Sequence, residues 1–229
     1  MKKIANLLFE AKMLKDIPRS GYPFLGVGKE SVAEHSFSTT FIAYVMSQLL
    51  PEADALKLIT MCLIHDFPEA RTGDLNAVHK QYVTADDSKA LRDAAGPLFF
   101  GDKMTALIQE FEAGVTVEAK LARDADQLAL ILELKELIDI GYEPPKTWIQ
   151  NVINRLQTET GQKIAAAVMQ TGRDDWWLSA ARNDSKLHDL IKFLNCSRQD
   201  AKKFMATITT LREANLVQTL VVATPLSQP

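Results

Sequence analysis

His35, the adjacent pair His65-Asp66 and Asp126 carry side chains that could do chemistry together, although they are far apart in the chain. Neutral imidazole and ionised carboxylate are ordinary ligands for a divalent first-row metal. The His-Asp pair closes an apolar run, in LITMCLIHDFPEARTGDL. Charges in apolar surroundings are costly unless they are paired or bound to a metal. On a helix, adjacent side chains diverge by about 100°. His65 and Asp66 can therefore serve one ion only where a helix ends, and Pro68 marks such an end. Two more carboxylates follow. Glu69 lies one helical turn after His65, where it could orient water or pass a proton, or simply be a solvated helix-end charge. Asp74 follows Thr72-Gly73 and could cap the segment LNAVHK, take part in chemistry, or do both. The chemistry open to this set is metal-assisted hydrolysis.

The elements that must position these residues read as helices. Residues 2–16 place Ile4, Leu7, Leu8, Ala11 and Leu14 on one face. DIPRSGYPFLGVGKES is rich in Pro and Gly and reads as a loop. Ser31 with Glu34 three residues later predicts a capping box, opening a helix that carries His35 and runs to about Leu50. Pro51 begins the next helix, which ends near Pro68. ARTGDLNAVH reads as a turn and a short helical piece. Residues 84–113 predict two helices broken near Gly96-Pro97 and Gly101. Val117–Ile140 reads as one long helix, and residues 146–170 as one further helix closed near Gly172. The expected fold is all-α. Ala122, Ala125 and Ala129 around Asp126 are small enough to let a neighbouring helix approach.

A composition shift near Arg182-Asn183-Asp184 divides the chain into a main domain, 1–182, and a small C-terminal appendage, 183–229. KLHDLIKFL and SRQDAKKFMATITTLREANL read as two short helices and QTLVVAT as a strand, the order found in small winged-helix modules. Lys and Arg there are interleaved with Asp189 and Asp200, which is a mixed surface rather than a basic stripe. The net charge of −3 gives no signature of bulk nucleic-acid binding. A composition of 47% hydrophobic and 24% charged residues is that of an ordinary globular chain with a sizeable core. Cys62 and Cys196 form no disulfide framework, and Cys62 reads as a buried thiol. No stretch approaches a membrane span, and acidic residues stand too early for a signal peptide, so a cytoplasmic location without membrane partners is expected.

ESVAEHSF, LIHDFPEARTGDL and RDADQL together resemble the signature of HD-domain phosphohydrolases, in particular the bacterial 5′-deoxynucleotidase branch, over roughly residues 1–170. HDFPEARTGD matches that branch's HD-x-x-E-x-x-x-x-D pattern without a gap. The resemblance implies a helical domain that holds one divalent cation through His35, His65, Asp66 and Asp126. It implies nucleoside 5′-monophosphate substrates, often deoxy forms, and a homodimer. It assigns Glu69 and Asp74 to catalysis, with Asp74 placing the attacking water. The choice of Asp126 over Asp124 also comes from the resemblance. The two point about 200° apart on a helix, so Asp124 is expected to be a solvated charge.

Arg19, in the loop IPRSGY, matches the family's phosphate-binding arginine, and a guanidinium can hold two phosphate oxygens at once. The best-known deoxynucleotidase type has an aromatic directly after that arginine. Here Ser20 stands there, with Tyr22 two residues further on. Lys29 and Glu34 could line the site or be surface and cap. The four histidines include only His79 and His188 beyond the ligands, which suits one metal rather than two. The ion could be Mn, Co, Mg, Zn or Ni. Competing expectations are a nucleoside triphosphohydrolase and a nucleotide-responsive binding module that uses the C-terminal appendage.

Overall fold

The structure is a computed structural model and describes residues 1–177 and Ser197. The expected appendage of residues 183–229, with its helices and strand and with His188 and Cys196, lies outside the described residues. Among the described residues ten α-helices follow in order: α1 (Lys2–Met13), α2 (Tyr22–Leu25), α3 (Val32–Leu49), α4 (Ala55–Ile64), α5 (Glu69–Thr72), α6 (Asp87–Ala95), α7 (Gly101–Ala113), α8 (Val117–Asp139), α9 (Pro145–Ile153) and α10 (Glu159–Gln170). Among the described residues there is no β-strand, only an isolated antiparallel bridge between Pro18 and Ser31. The all-α expectation holds.

Local sequence explains most helix ends. The predicted capping box is made: Ser31 Oγ accepts from Glu34 N at 3.2 Å, and Ser31 N donates to Glu34 Oε2 at 2.7 Å. This assigns Glu34 to the cap, while Lys29 is exposed. The helix expected from Pro51 starts four residues later, because Asp54 rather than Pro51 supplies the cap, accepting from Lys57 N. The Pro/Gly loop contains one helical turn, α2. The largest departure lies between 146 and 170, where one expected helix is two, separated by Asn154–Thr158.

α8 is the central element, packing against α3, α4, α7, α9 and α10. Its Ala119, Ala122, Ala125 and Ala129 are buried, and their short side chains let the neighbouring helices approach closely. Leu58, Met61 and Cys62 of α4 are buried in the main core with Leu121, Leu128 and Ile131 of α8. Each such Leu or Met contributes about 1.5–3 kcal/mol relative to an exposed position. A second core joins Leu14, Val32, Phe67, Leu91, Met104 and Ile108. Ile64 packs against both. The turn His65–Pro68 is thus gripped by apolar packing on two sides, which holds the His-Asp pair rigidly.

Candidate metal centre

α4 ends at Ile64, and His65 is its C-cap, as the His-Asp doublet required. His65 Nδ1 lies 2.9 Å from Cys62 O, so this nitrogen carries the hydrogen and donates it to the carbonyl. Nε2 is then the nitrogen left to face the acids, and it is buried without a hydrogen-bond partner. It points among carboxylates: Asp66 Oδ2 is 3.2 Å away and Asp126 Oδ1 is 3.9 Å away. His35, 1% exposed, enters from the first turns of α3. Its Nε2 is 2.8 Å from Asp126 Oδ1 and 3.8 Å from Asp66 Oδ2. One ligand atom each from His35, His65 and Asp126 lie within 4.8 Å of one another. Asp66 is not one of these three, but its Oδ2 stands against both imidazoles. Two imidazoles and two carboxylates around an orphaned buried nitrogen are a donor set that suits a divalent ion.

The electrostatics agree. Burial alone would push the His65 imidazolium towards deprotonation, but Asp66 and Asp126 outweigh it and raise the pKa to about 9. Burial opposes ionisation of Asp66, yet His65, His35 and Arg19 hold its carboxyl well below the usual range. Asp126 is likewise lowered against its burial, by His35 and then His65. Clustered carboxylates thus demand positive charge, supplied either by protons on imidazole or by a metal. The Cys62 thiol is buried, as expected, and burial pushes its pKa up.

Glu69 opens α5 directly after the His-Asp turn. Its Oε2 is buried with no partner. Burial, then repulsion from Asp66 and Asp74, raises its pKa to about 9. A cavity of about 250 Å³ opens beside it, lined among others by Gly73, Leu75, Lys80 and Thr84. Asp74 is held from the Arg19 loop: Ser20 N donates to Oδ2 at 2.6 Å and Ser20 Oγ at 3.1 Å. Asn76 Nδ2 returns a bond to Ser20 O at 3.0 Å. The expected capping role for Asp74 is not made. Asn76 Oδ1 instead accepts from Val78 N and His79 N just ahead of the 3₁₀ turn His79–Gln81. His79 is exposed there.

Arg19 Nη1 lies 3.4 Å from Asp66 Oδ2 and 3.5 Å from Asp74 Oδ1. Burial would lower its pKa, but Asp66, Asp74, Asp126 and Glu69 raise it, so it stays charged. The loop is pinned by Arg19 N donating to Glu30 O and Val32 N donating to Ile17 O, both at 2.9 Å. Tyr22 does not stand in for the aromatic missing after Arg19. It is buried, and its hydroxyl donates to Glu133 Oε2 at 2.9 Å.

Asp124 corrects an expectation. It is 0% exposed rather than solvated. Its Oδ1 accepts from Gln157 N at 2.8 Å, and its Oδ2 accepts from Thr158 N at 2.8 Å and Thr158 Oγ1 at 2.6 Å. It anchors the break between α9 and α10 and lies at the N-terminus of α10, where negative charge is favoured. Helical periodicity does not show that break, because the stop comes from a side chain of another helix. Sequence reading also passed over Glu30, whose relation to His35 exists only in three dimensions.

Known proteins place this arrangement. Human 5′-deoxynucleotidase HDDC2 is 24% identical over 177 residues, which cover 69% of this chain and 86% of that one. A solved structure, a conserved hypothetical protein from Pyrococcus furiosus, is similar with a TM-score of 0.65 and 28% identity, over 73% of this chain and 99% of its own. A protein from Magnetospirillum magnetotacticum, described as a predicted metal-dependent phosphohydrolase, shares the fold at a TM-score of 0.56 and 24% identity, over 74% of this chain and 90% of its own. A family model describing the HD domain matches residues 11–168. That match spans more than half of the chain and takes in every candidate residue from Arg19 to Asp126, and the chain belongs to the HD-domain family.

Proposed function

We propose that this chain is a metal-dependent phosphohydrolase that releases orthophosphate from nucleoside and deoxynucleoside 5′-monophosphates. The observation that carries the reading is the orphaned, buried Nε2 of His65, aimed between Asp66 and Asp126 with an arginine alongside. The similarity to 5′-deoxynucleotidases supports the substrate class.

His35, His65, Asp66 and Asp126 would hold one divalent ion. When bound, such an ion draws negative charge from a phosphoryl group and acidifies a water at neutral pH. Arg19 binds the phosphate dianion, turning from Asp66 and Asp74 towards oxygens it can grip in a fork. Asp74, held by Ser20, stands as the proton acceptor for the attacking water. Glu69, whose pKa is raised by burial and the neighbouring acids, is the group placed to donate a proton to the leaving 5′-oxygen. Two carboxylates in contrasting surroundings thereby take opposite roles. The cavity beside Glu69 offers room for substrate beyond the phosphate.

We also propose a homodimer. α3 buries Val32, His35, Thr39, Ala43 and Met46 on one face, yet Phe37, Phe41, Tyr44 and Leu49 are exposed on the other. An apolar stripe of this kind suits a partner surface. A cytoplasmic location suits the free Cys62 thiol, and no helix among the described residues is long and apolar enough to cross a membrane.

The test is a phosphate-release screen over ribo- and deoxynucleotides with Mn, Co, Mg, Zn and Ni in turn. Monophosphates are expected to yield orthophosphate with at least one ion. Absence of turnover with every ion, or release of triphosphate from nucleoside triphosphates instead, defeats the reading. Arg19→Lys should cut the preference for nucleotide over nucleoside without altering metal content. An unchanged preference removes Arg19 from phosphate binding.

A further inference from the structure

Both imidazoles of the metal centre must present Nε2 as a lone pair, and each therefore needs something to hold its Nδ1 hydrogen. His65 has the Cys62 carbonyl at 2.9 Å. For His35 the charged group facing Nδ1 is Glu30, whose Oε2 is 3.9 Å away and whose side chain is 8% exposed. At that distance the pair is an ion-pair contact, not a made hydrogen bond. We propose that Glu30 is a positioning residue that fixes the tautomer and orientation of His35 by accepting its Nδ1 hydrogen, and so sets the affinity of the centre for its ion. This rests on the reading of His35 as a metal ligand.

The surroundings of Glu30 hold its side chain in place. Tyr22 OH lies 3.5 Å from Glu30 Oε2 and donates to Glu133 Oε2 of α8 at 2.9 Å. The phenol thus bridges two part-buried acids from separate elements. The loop is moulded around that ring. Gly28 has φ of +82°, and a Cβ on it would meet Tyr22 Cδ1 and Cε1 at 2.8 Å. Tyr142 OH, from beyond the end of α8, donates to Leu25 O and ties down the far side of the loop. Arg19 N donating to Glu30 O then registers the phosphate-binding arginine and the positioning acid on one pinched loop. A buried carboxylate with so much structure behind it, facing a ligand imidazole, matches the outer-shell arrangement that orients metal-bound histidines.

Glu30→Gln keeps the shape and removes the negative charge that strengthens acceptance of the Nδ1 hydrogen. The metal-stripped protein and its variants are titrated with Mn²⁺ and, in parallel, with Zn²⁺, the latter followed by ¹⁵N NMR of the histidine rings. Glu30→Gln should weaken Mn²⁺ binding about 10–100-fold. In the Zn²⁺-loaded protein it should also move the His35 Nδ1 resonance, while that of His65 is unchanged. Glu30→Asp, which keeps the charge, should lose less affinity than Glu30→Gln, and it carries the test if the glutamine variant does not fold. Affinity within twofold of wild type, an unmoved His35 Nδ1 resonance in Zn²⁺-loaded Glu30→Gln, or Glu30→Asp as impaired as Glu30→Gln each overturns the proposal. If wild type binds neither ion, the metal reading itself fails, which is a different result.

Discussion

Asp124 and Asp126 are two residues apart on α8, and both carboxylates are enclosed by neighbouring elements, but their partners differ in kind. Asp124 meets two backbone N–H groups and a threonine hydroxyl, donors that cannot leave. Asp126 meets His35 at 2.8 Å, His65 at 3.9 Å and the amide of Gln127 at 2.8 Å. Imidazoles can exchange a proton for a metal, whereas backbone amides cannot. A buried carboxylate saturated by the main chain is structural. A half-buried carboxylate that shares imidazoles with a second acid is a place where charge is exchanged.

The sharpest way to break that contrast is to neutralise each residue in turn. Asp126→Asn should abolish metal binding and turnover while helical content is retained, measured by metal titration and circular dichroism. Asn at this position binding metal with wild-type affinity would put Asp126 on the structural side. Next, Glu69→Gln should keep the metal and lower turnover by about 10²–10⁴-fold, because the proton donor is gone but no proposed ligand is. A rate within threefold of wild type removes Glu69 from the mechanism.

Asp124→Asn should do the reverse of Asp126→Asn. One carboxylate oxygen becomes an NH₂ facing an N–H donor at the α9–α10 break. The expected cost is about 3 kcal/mol in denaturant unfolding, with metal stoichiometry per folded molecule intact. Gly161 allows this contact, since a Cβ there would run into the Asp124 carboxylate. Gly161→Ala is expected to imitate Asp124→Asn in stability and likewise spare the metal.

The smallest effect expected is on pH dependence. His65 and Glu69 both have pKa values raised to about 9 in the folded, metal-free protein, and Glu30 is raised to about 7 by burial first. The folded state therefore holds more protons than the unfolded chain, and stability falls as pH rises. The His65 contribution is complete below its ordinary value of about 6.5 and is lost as pH climbs through about 9. Glu30 and Glu69 are lost over about 4.5 to 7 and about 4.5 to 9 in the same direction. The Tm of metal-free protein should thus decline from pH 6 to pH 9, and Glu69→Gln should flatten the slope. Bound metal should flatten it further, because the ion needs His65 deprotonated. A Tm that rises over this range contradicts the charge balance drawn around the centre.

Much of this protein was legible locally. The Ser31–Glu34 capping box, the helix end at His65-Asp66 and the small-residue face of α8 follow from neighbours within a few positions, since helix caps and helical spacing are short-range physics. The sequence by itself therefore determined an all-helical frame and a family-specific His-Asp motif on a helix end. Only the tertiary structure decided what the acids of α8 and the loop are for. Asp124 was read as solvated and residues 146–170 as one helix for a single reason: the donors at Gln157 and Thr158 that bury the acid and break the helix lie 33 and 34 positions away. Glu30 and Glu133 meet across Tyr22 in the same non-local way, 111 positions separating Tyr22 from Glu133. Burial and hydrogen-bond satisfaction are properties of the packed chain, and no periodicity along the backbone encodes which carboxylate a distant amide or imidazole will face.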